Sequence, residues 1–418
     1  MPRGGTPAGR LGFSGVAVSA LLVIAVPAAS ANTYFANKTG DHAVGGCTKS
    51  DCTLREAVVT ANVVTGTDRV LLRGRETYRL SIPGDEDDGL TGDLDVTDPT
   101  KFKVRGPGKA TVDANEIDRV FSIFDETKIS ELVIRDGQAG GGGGIGVFAG
   151  ELLLTRSKVS GNDASQGGGL GVGAPTTIKN STISGNDATA SLLGEGGGIL
   201  ASAEITIVNS TVSGNDATYT GGGLTGGPDI TIKGSTFSRN TSGDEGGAIR
   251  MNESPMVITN STFSGNRADG EGGALWLEGG MTANAVTIVR NRADADNTGG
   301  GSGGGIYDPV SPYLLSNSIL ALNEVGLTGS GPNCGGLAVP SAGYNIHGNL
   351  NGCTWNSGPG DFGANPKVSP LANNGGPTQT AALKAGSPAI GRAGNSAPPR
   401  DQRGVKRKNP DIGAYERR

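Results

Sequence analysis

The chain has 418 residues and a formal net charge of −5; only 4% of its residues are aromatic, whereas glycine occurs 74 times. Nucleic acid is excluded as a partner, because phosphate binding normally requires a basic stripe that this sequence lacks. Collagen is also excluded, because the glycines show no Gly-X-Y period and come in bunches between apolar, β-branched stretches. This pattern is typical of turns between strands.

The first 31 residues have the features of a secretory signal peptide. Arg3 and Arg10 precede an apolar run from Val16 to Val26, and Ala29-Ser30-Ala31 supplies a small-residue cleavage pattern. The run is too short to span a membrane comfortably, so we expect cleavage after Ala31 rather than an anchor. Export follows, no later segment is predicted to cross a membrane, and the mature chain has 33 basic and 40 acidic residues, a net charge of −7.

The four cysteines form two close pairs, Cys47 with Cys52 and Cys334 with Cys353. In an exported chain this spacing predicts two local disulfides near the ends of the repeat region. Zinc binding is the less favoured alternative, because neither pair has the CxxC spacing and the chain has only two histidines. No metal site is predicted from these residues.

A short helix is predicted just after the first cysteine pair. Thr53 and Glu56 have the spacing of a capping box, and Ala57, Val58 and Ala61 follow at helical intervals. A helix laid over the open end of a solenoid would shield unpaired backbone groups and prevent growth by edge pairing. The expected role of this helix is therefore structural.

An asparagine recurs at intervals of about 25 residues through the middle of the chain. These anchors are Asn162, Asn186, Asn215, Asn240, Asn266, Asn291 and Asn323. Three positions before them stands an unbroken apolar column: Val159, Ile183, Val212, Phe237, Phe263, Ile288 and Leu320. Further apolar columns lie eight and ten positions before the anchors, and a spacing of two indicates strand alternation. The repeat predicts an all-β fold, a single-stranded right-handed parallel β-helix with a short N-terminal capping helix.

Most anchors are followed by two small residues and an apolar one, as in Gly197-Gly198-Ile199 and Gly304-Gly305-Ile306. We expect a sharp corner there, because glycine accepts positive φ and lets neighbouring coils approach closely. The anchor asparagines are predicted to form an internal amide ladder rather than a binding row. The Asn-Ser-Thr triplets at Asn180, Asn209 and Asn260 match a glycosylation acceptor, but a repeated strand end is the preferred interpretation.

The organisation predicted from these features has four segments. They are a signal peptide over 1–31, a cap and first coils over 32–110, regular coils over 111–330, and a C-terminal disulfide loop and cap over 331–418. We expect a monomer.

Several motifs resemble those of known exported proteins. Cys52-Thr53-Leu54-Arg55-Glu56-Ala57 resembles the CSLREA motif of exported bacterial proteins, with Thr in place of the usual Ser. Gly246-Gly247-Ala248-Ile249 and Phe263-Ser264-Gly265-Asn266 resemble the repeats of polymorphic outer-membrane proteins. Four stretches near the C-terminus resemble the tail of choice-of-anchor β-helix proteins, and they are residues 374–378, 386–390, 401–404 and 411–416. The resemblance implies a right-handed parallel β-helix at or beyond the cell surface and assigns no reaction.

A candidate binding site lies just after the glycine corner. There the outward residue is Arg250, Trp276 and Tyr307 on three successive coils, with Asn252 and Glu278 close in sequence. Aromatic rings along a ladder can stack on sugar rings, and an arginine can hold a carboxylate or sulfate. An extracellular glycan or cell-envelope component is the expected partner. The alternative is that a C-terminal loop folds over this face and buries the rings.

An enzyme is the second hypothesis, either a polysaccharide lyase or a glycoside hydrolase acting on acidic polysaccharides. Arg250, Glu253, Glu278 and Asp308 are its candidate acids and base. A purely structural spacer is the third hypothesis, and it predicts no saturable ligand.

Calcium is the one cofactor that the sequence leaves open. Asp163, Asp187 and Asp216 each follow an anchor, so they would stack at one corner and could share a cation. Asx residues are also ordinary turn residues, which favours a role without metal. Two insertions, Ala188 to Glu195 and Ala293 to Ser302, interrupt the repeat and are candidates for the functional face.

Overall fold

A computed structural model describes residues 31–42, 45–84, 89–252, 254–310 and 313–418. Over these residues the chain coils into a solenoid in which a regular turn passes through four short strands. Strands at equivalent positions pair in parallel with those of neighbouring turns and build four sheets. We name them sheets I to IV in the order in which the chain visits them. The predicted all-β parallel solenoid is confirmed.

Within the described residues, sheet I has 13 strands: Thr33–Phe35, Asp68–Arg73, Thr100–Arg105, Thr127–Ser130, Leu152–Thr155, Thr176–Lys179, Ile205–Val208, Ile230–Lys233, Met256–Thr259, Met281–Asn284, Leu314–Ser316, Val339–Gly343 and Trp355–Asn356. Over the same part of the chain, sheet II has 12 strands: Thr77–Arg79, Ala110–Asp113, Leu132–Arg135, Lys158–Ser160, Thr182–Ser184, Thr211–Ser213, Thr236–Ser238, Thr262–Ser264, Thr287–Val289, Ile319–Ala321, Ile346–His347 and Phe362–Gly363.

Sheets III and IV complete the turns. In the part of the chain that the structure describes, sheet III has 8 strands: Gln138–Gly141, Asp163–Gln166, Asp187–Ala188, Asp216–Ala217, Thr241–Ser242, Arg267–Ala268, Arg292–Ala293 and Glu324–Val325. Sheet IV, counted over those residues, has 10 strands: Leu94–Val96, Phe121–Ile123, Ile145–Val147, Leu170–Val172, Ile199–Ala201, Leu224–Gly226, Ile249–Met251, Leu275–Leu277, Ile306–Asp308 and Cys334–Gly336.

The apolar column that precedes the anchors forms part of the solenoid interior. All seven of its members are buried, and they lie in register on successive strands of sheet II. Phe237 and Phe263 stack with ring centroids 5.1 Å apart. A single turn could not bury such a face, so each turn obtains its core from its neighbours.

The anchor asparagines form the predicted amide ladder. The Nδ2 of Asn215 donates to Oδ1 of Asn240 at 2.9 Å, and the Nδ2 of Asn240 donates to Oδ1 of Asn266 at 2.9 Å. The backbone N–H of each anchor donates to the same oxygen, and each Nδ2 also reaches a strand carbonyl, which is Val212 O for Asn240. The ladder satisfies buried turn backbone, so the anchors are unavailable to a ligand.

A second polar ladder explains the Asn-Ser-Thr triplets. The asparagines, such as Asn209 with φ 49°, occupy left-handed corners between sheets I and II. The next residue, as in Ser210, points inward, and its backbone N–H donates at 3.2 Å to Oγ of Ser235, which follows Gly234 at the equivalent corner of the next turn. The triplet is therefore a repeated strand end, as preferred from the sequence.

The glycine corner between sheets III and IV combines two requirements. Gly246 has φ 66°, whereas Gly247 packs against backbone carbonyls of Arg267 and Gly273 on the next turn, where a Cβ would clash. The positive φ lies one residue earlier than we expected, and the close approach of neighbouring coils is confirmed.

The described residues include one helix, Leu54–Val63, which contacts the first strands of sheets I and IV. Thr53 is its N-cap: the Thr53 Oγ1 accepts from Glu56 N at 3.1 Å, and Glu56 Oε2 accepts from Thr53 N at 2.8 Å. The capping box is present as the sequence indicated. That the helix shields the open end of the solenoid stays a prediction.

Both predicted disulfides are confirmed, Cys47–Cys52 beside the helix and Cys334–Cys353 in the last turns. None of the described helices is long and apolar enough to cross a membrane. The predicted signal peptide lies outside the described residues except for Ala31. The proposed segment boundaries stay a prediction.

The C-terminal segment, residues 364–418, folds back along the outer face of sheet II. It contains an antiparallel pair, Val368–Ala372 with Thr380–Leu383. Thr236 Oγ1 donates to the carbonyl of Gln379 at 2.6 Å, and Ala414 N donates to Thr287 Oγ1 at 3.0 Å. This segment therefore covers sheet II and leaves sheet IV uncovered, so the alternative in which it buries the Arg250 face does not hold.

Candidate functional site

Arg250, Trp276 and Tyr307 lie in register on the outer face of sheet IV. Arg250 pairs with Trp276, and Trp276 pairs with Tyr307, on three successive turns. The column continues to Thr225 on one side and Gly335 on the other. We call Arg250, Trp276 and Tyr307 the Arg–Trp–Tyr column.

The Trp276 ring is covered by the side chain of Arg250. The guanidinium carbon lies 4.8 Å from the ring centroid, and Trp276 is only 6% exposed. Arg250 is also paired with Glu245, Nε to Oε2 at 3.4 Å, and with Glu278, Nη2 to Oε2 at 3.6 Å. Trp276 could stack on a sugar only if Arg250 moved, which the sequence did not indicate.

The polar edge of Trp276, its Nε1, is buried without a hydrogen-bond partner among the described residues. Tyr307 is half-buried, and burial, followed by the charges of Glu271 and Glu245, raises its pKa. The column thus offers one protonated phenol to a ligand, and the indole N–H becomes accessible only if Arg250 moves.

Asn252 lies one residue beyond the strand that carries Arg250. Its backbone N–H donates to Gly226 O at 2.9 Å, and its side-chain Oδ1 is buried without a hydrogen-bond donor among the described residues. Asn252 and Glu278 therefore border the Arg–Trp–Tyr column, and their ligand role stays a prediction.

Four carboxylates line the corner between sheets III and IV, and we name Asp244, Glu245, Asp269 and Glu271 the acidic corner. Burial is the largest cause that raises the pKa of each of them. Asp244 adds to the rise for both glutamates, whereas Arg250 lowers the pKa of Glu245. The corner thus contains acids that hold protons more readily than ordinary surface carboxyls.

The two insertions flank the acidic corner. Both connect sheet III to sheet IV, one after Ala188 and the other after Ala293. The first exposes Leu192 and Leu193, which are 80% and 60% accessible. Their position agrees with the expectation that insertions mark this side of the solenoid, and their function stays a prediction.

The aspartate column is present on sheet III. Asp163, Asp187 and Asp216 pair in register, and the column continues through Thr241 to Arg267. Burial raises the pKa of Asp187, and the charges of Asp216 and Asp163 raise it further. The repulsion predicted from the sequence is therefore present, and calcium at this column stays a prediction.

One residue of the enzyme hypothesis is not on this surface, and a second cannot be placed. Asp308 is fully buried, and its Oδ1 accepts from Val310 N at 3.0 Å, so it cannot contact a polysaccharide. Glu253 lies outside the described residues. Glu245 and Glu271 are the acids that the sequence argument missed. The available signal was their shared position directly before the positive-φ glycines Gly246 and Gly272.

Comparisons with known proteins agree with the architecture. The family model of the right-handed beta helix region matches residues 170–349. None of the curated proteins compared with the chain matches it. Among solved structures, the crystal structure of pectate lyase Pel9A aligns with a TM-score of 0.45 and 16% identity, over 94% of this chain and 98% of that chain. The family match covers less than half of the chain, and together with the four parallel sheets it supports a right-handed β-helix repeat fold.

Proposed function

We propose that this chain is a secreted or cell-surface β-helix protein that binds a glycan at the Arg–Trp–Tyr column and the acidic corner. The observation that carries the proposal is the register of Arg250, Trp276 and Tyr307 on three adjacent turns of sheet IV, away from sheet II, which the C-terminal segment covers. Adjacent strands lie about 4.8 Å apart, so a polymer along the solenoid axis would meet a new side chain on each turn.

The charges of the site favour a neutral or amino-bearing glycan. Arg250 is already paired with Glu245 and Glu278, and Glu271 lies close by, so a polyanion would meet several carboxylates and one neutralised cation. We therefore replace the expectation that Arg250 holds a carboxylate or sulfate group of the glycan with binding of a glycan that has no acidic groups. An acidic polysaccharide would need a bridging cation such as calcium.

An exported, adhesin-like role is part of the same proposal. The two disulfides suit an oxidising compartment outside the cytosol. The CSLREA-like motif, the tail motifs and the repeats similar to those of polymorphic outer-membrane proteins support a place at the cell surface. We expect a monomer in solution and a glycan or cell-envelope component as the partner.

A polysaccharide-cleaving enzyme is the second candidate, and one observation favours it. Glu245 and Glu271 occupy the same position on adjacent turns, and burial raises the pKa of both. Two carboxyl groups, one of them protonated, are what glycoside hydrolysis requires. A carboxyl with a raised pKa suits the general acid.

A glycan-array screen of residues 32–418, with and without calcium, tests the proposal, and product analysis of each hit separates binding from cleavage. Arg250→Ala and Tyr307→Ala should each weaken binding about tenfold, which corresponds to about 1.4 kcal/mol. Lys233→Ala, an exposed position on sheet I, is the charge-matched control and should bind as the wild type does.

The outcomes are distinct. Saturable binding without products supports the binding protein, whereas released reducing or unsaturated ends would support the enzyme. Binding that survives both Arg250→Ala and Tyr307→Ala would place the glycan elsewhere. No saturable ligand on a broad array would favour a structural spacer.

A further inference from the structure

Three metal-ligating side chains meet at the N-terminal end of the solenoid, far in sequence from the glycan face. His42 Nε2 lies 3.6 Å from Asp51 Oδ1, and His42 Nδ1 lies 4.0 Å from Glu56 Oε1. One ligand atom from each residue lies within 4.8 Å of the other two. Ligands that share a zinc ion at about 2.0–2.2 Å lie about 3–4 Å apart, so only a small adjustment is needed.

The scaffold holds two of these residues in place. Asp51 immediately precedes Cys52, whose disulfide with Cys47 closes the loop. Glu56 lies in the first turn of the helix, its side chain is 2% exposed, and its Oε1 accepts from Gly45 N at 3.0 Å. A carboxylate oxygen has a second lone pair, so Glu56 can keep its capping bonds and still bind a cation.

The surroundings leave a path for an ion. The side chains of His42 and Asp51 are 47% and 58% exposed, so the site opens to solvent on one side. The cysteines nearby are bonded to each other and contribute no thiolate. The positive end of the helix dipole opposes a cation here, and the charge of Glu56 in the first turn offsets that effect.

We propose that His42, Asp51 and Glu56 bind one divalent transition-metal ion, with Zn²⁺ as the ion that fits best. One imidazole and two carboxylates form a three-ligand set, and water from the open side would complete a tetrahedron. The imidazole favours Zn²⁺ over Ca²⁺ and Mg²⁺, which prefer oxygen ligands. The ion would join His42 and Asp51 to the helix and so stabilise the N-terminal end.

The test is calorimetric titration of ZnCl₂ into chelator-treated protein of residues 32–418. We expect one Zn²⁺ per chain and a rise in Tm on binding, because the folded site binds the ion more tightly than the unfolded chain. His42→Ala and Asp51→Asn should each lose both effects. Neither change touches the capping box, whereas Glu56→Gln would, so Glu56 is left unaltered.

His347→Ala removes the other histidine and is the matched control, because His347 lies in the last strands of sheet II. It should bind Zn²⁺ as the wild type does. The proposal is overturned if the wild type binds no Zn²⁺, if His42→Ala binds it unchanged, or if Ca²⁺ competes with it at equal concentration. Glycan binding is measured separately and does not depend on this result.

Discussion

Arg55 connects several segments at the N-terminal end through one fully buried guanidinium. Its Nε lies 2.9 Å from Asp41 Oδ1, and its Nη atoms donate to the carbonyls of Gly89, Thr91, Gly92 and Asp93. The planar fork of arginine can make these bonds together, which lysine cannot. The CSLREA-like motif therefore has a structural explanation: cysteine, threonine and glutamate fix the helix start, and arginine fastens the following loop.

We predict that Arg55→Leu lowers the free energy of unfolding by about 3–5 kcal/mol, because it leaves Asp41 as a buried charge without its partner. Urea denaturation followed by circular dichroism measures the change. Arg69→Leu, at an exposed position of the first turns, is the control and should stay within about 0.5 kcal/mol of the wild type. Equal effects of the two changes would contradict the assigned role of Arg55.

At the scale of the element, the amide ladder is the feature that requires one residue type on each turn. Asn240 must accept through Oδ1 from the preceding turn and donate through Nδ2 to Asn266. Aspartate has the same shape and cannot donate when ionised. The ladder therefore distinguishes two nearly isosteric residues.

Asn240→Asp should destabilise the protein more than Asn240→Ala at neutral pH, because it places a carboxylate against Asn266 Oδ1. Each buried group left without a partner costs about 1–3 kcal/mol. Burial should raise the pKa of the new carboxyl, so the folded state binds its proton more strongly than the unfolded state does. The loss of stability relative to the wild type should therefore become smaller as pH falls. Thermal unfolding of the variant and the wild type at pH 7 and pH 4 measures this difference in stability. A difference that grows on acidification would contradict the prediction.

The C-terminal segment is a second element, and Gln402 makes several of the hydrogen bonds that attach it to sheet II. Gln402 Nε2 donates to Thr236 Oγ1 at 2.8 Å and to Thr378 Oγ1 at 2.9 Å, and Gln402 Oε1 accepts from Thr262 Oγ1 at 2.6 Å. These bonds bridge the tail motifs and two strands of sheet II. They give Gln402 and Thr378 of the tail motifs a structural role.

Gln402→Ala should loosen the segment without unfolding the solenoid. We expect faster amide hydrogen exchange in the pair formed by Val368–Ala372 and Thr380–Leu383, because opening of the segment becomes easier. The core of sheet IV should exchange at the wild-type rate. Lys406→Ala, at an exposed position of the same segment, is the control. Unchanged exchange in the segment would show that Gln402 is dispensable for docking.

At the scale of the whole molecule, periodicity made most of the fold predictable. The anchors and the apolar column before them recur at intervals that stacked turns satisfy. The disulfides were predicted separately, from the close spacing of each cysteine pair. The path of the C-terminal segment was not predictable, because Gln402 and Thr236 are 166 positions apart and no repeat connects them.

The candidate site could be predicted only in part. The register of Arg250 with Trp276 follows from the repeat, but the cover of Arg250 over the ring depends on rotamers, which the sequence does not specify. Glu245 was not predicted because it lies before the glycine corner, whereas the outward column begins after that corner. Asp308 was misplaced although strand alternation directs its side chain inward, because it directly follows the outward Tyr307.

The central claim is that ligands bind the side of the solenoid formed by sheet IV and the acidic corner. It is tested by hydrogen-exchange footprinting of the mature protein with and without the glycan that binds most tightly on the array. We predict slower exchange at residues 244–252, 271–278 and 302–308 in the complex, with sheet I and the C-terminal segment unchanged. Protection confined to sheet I or to residues 364–418 would contradict the account.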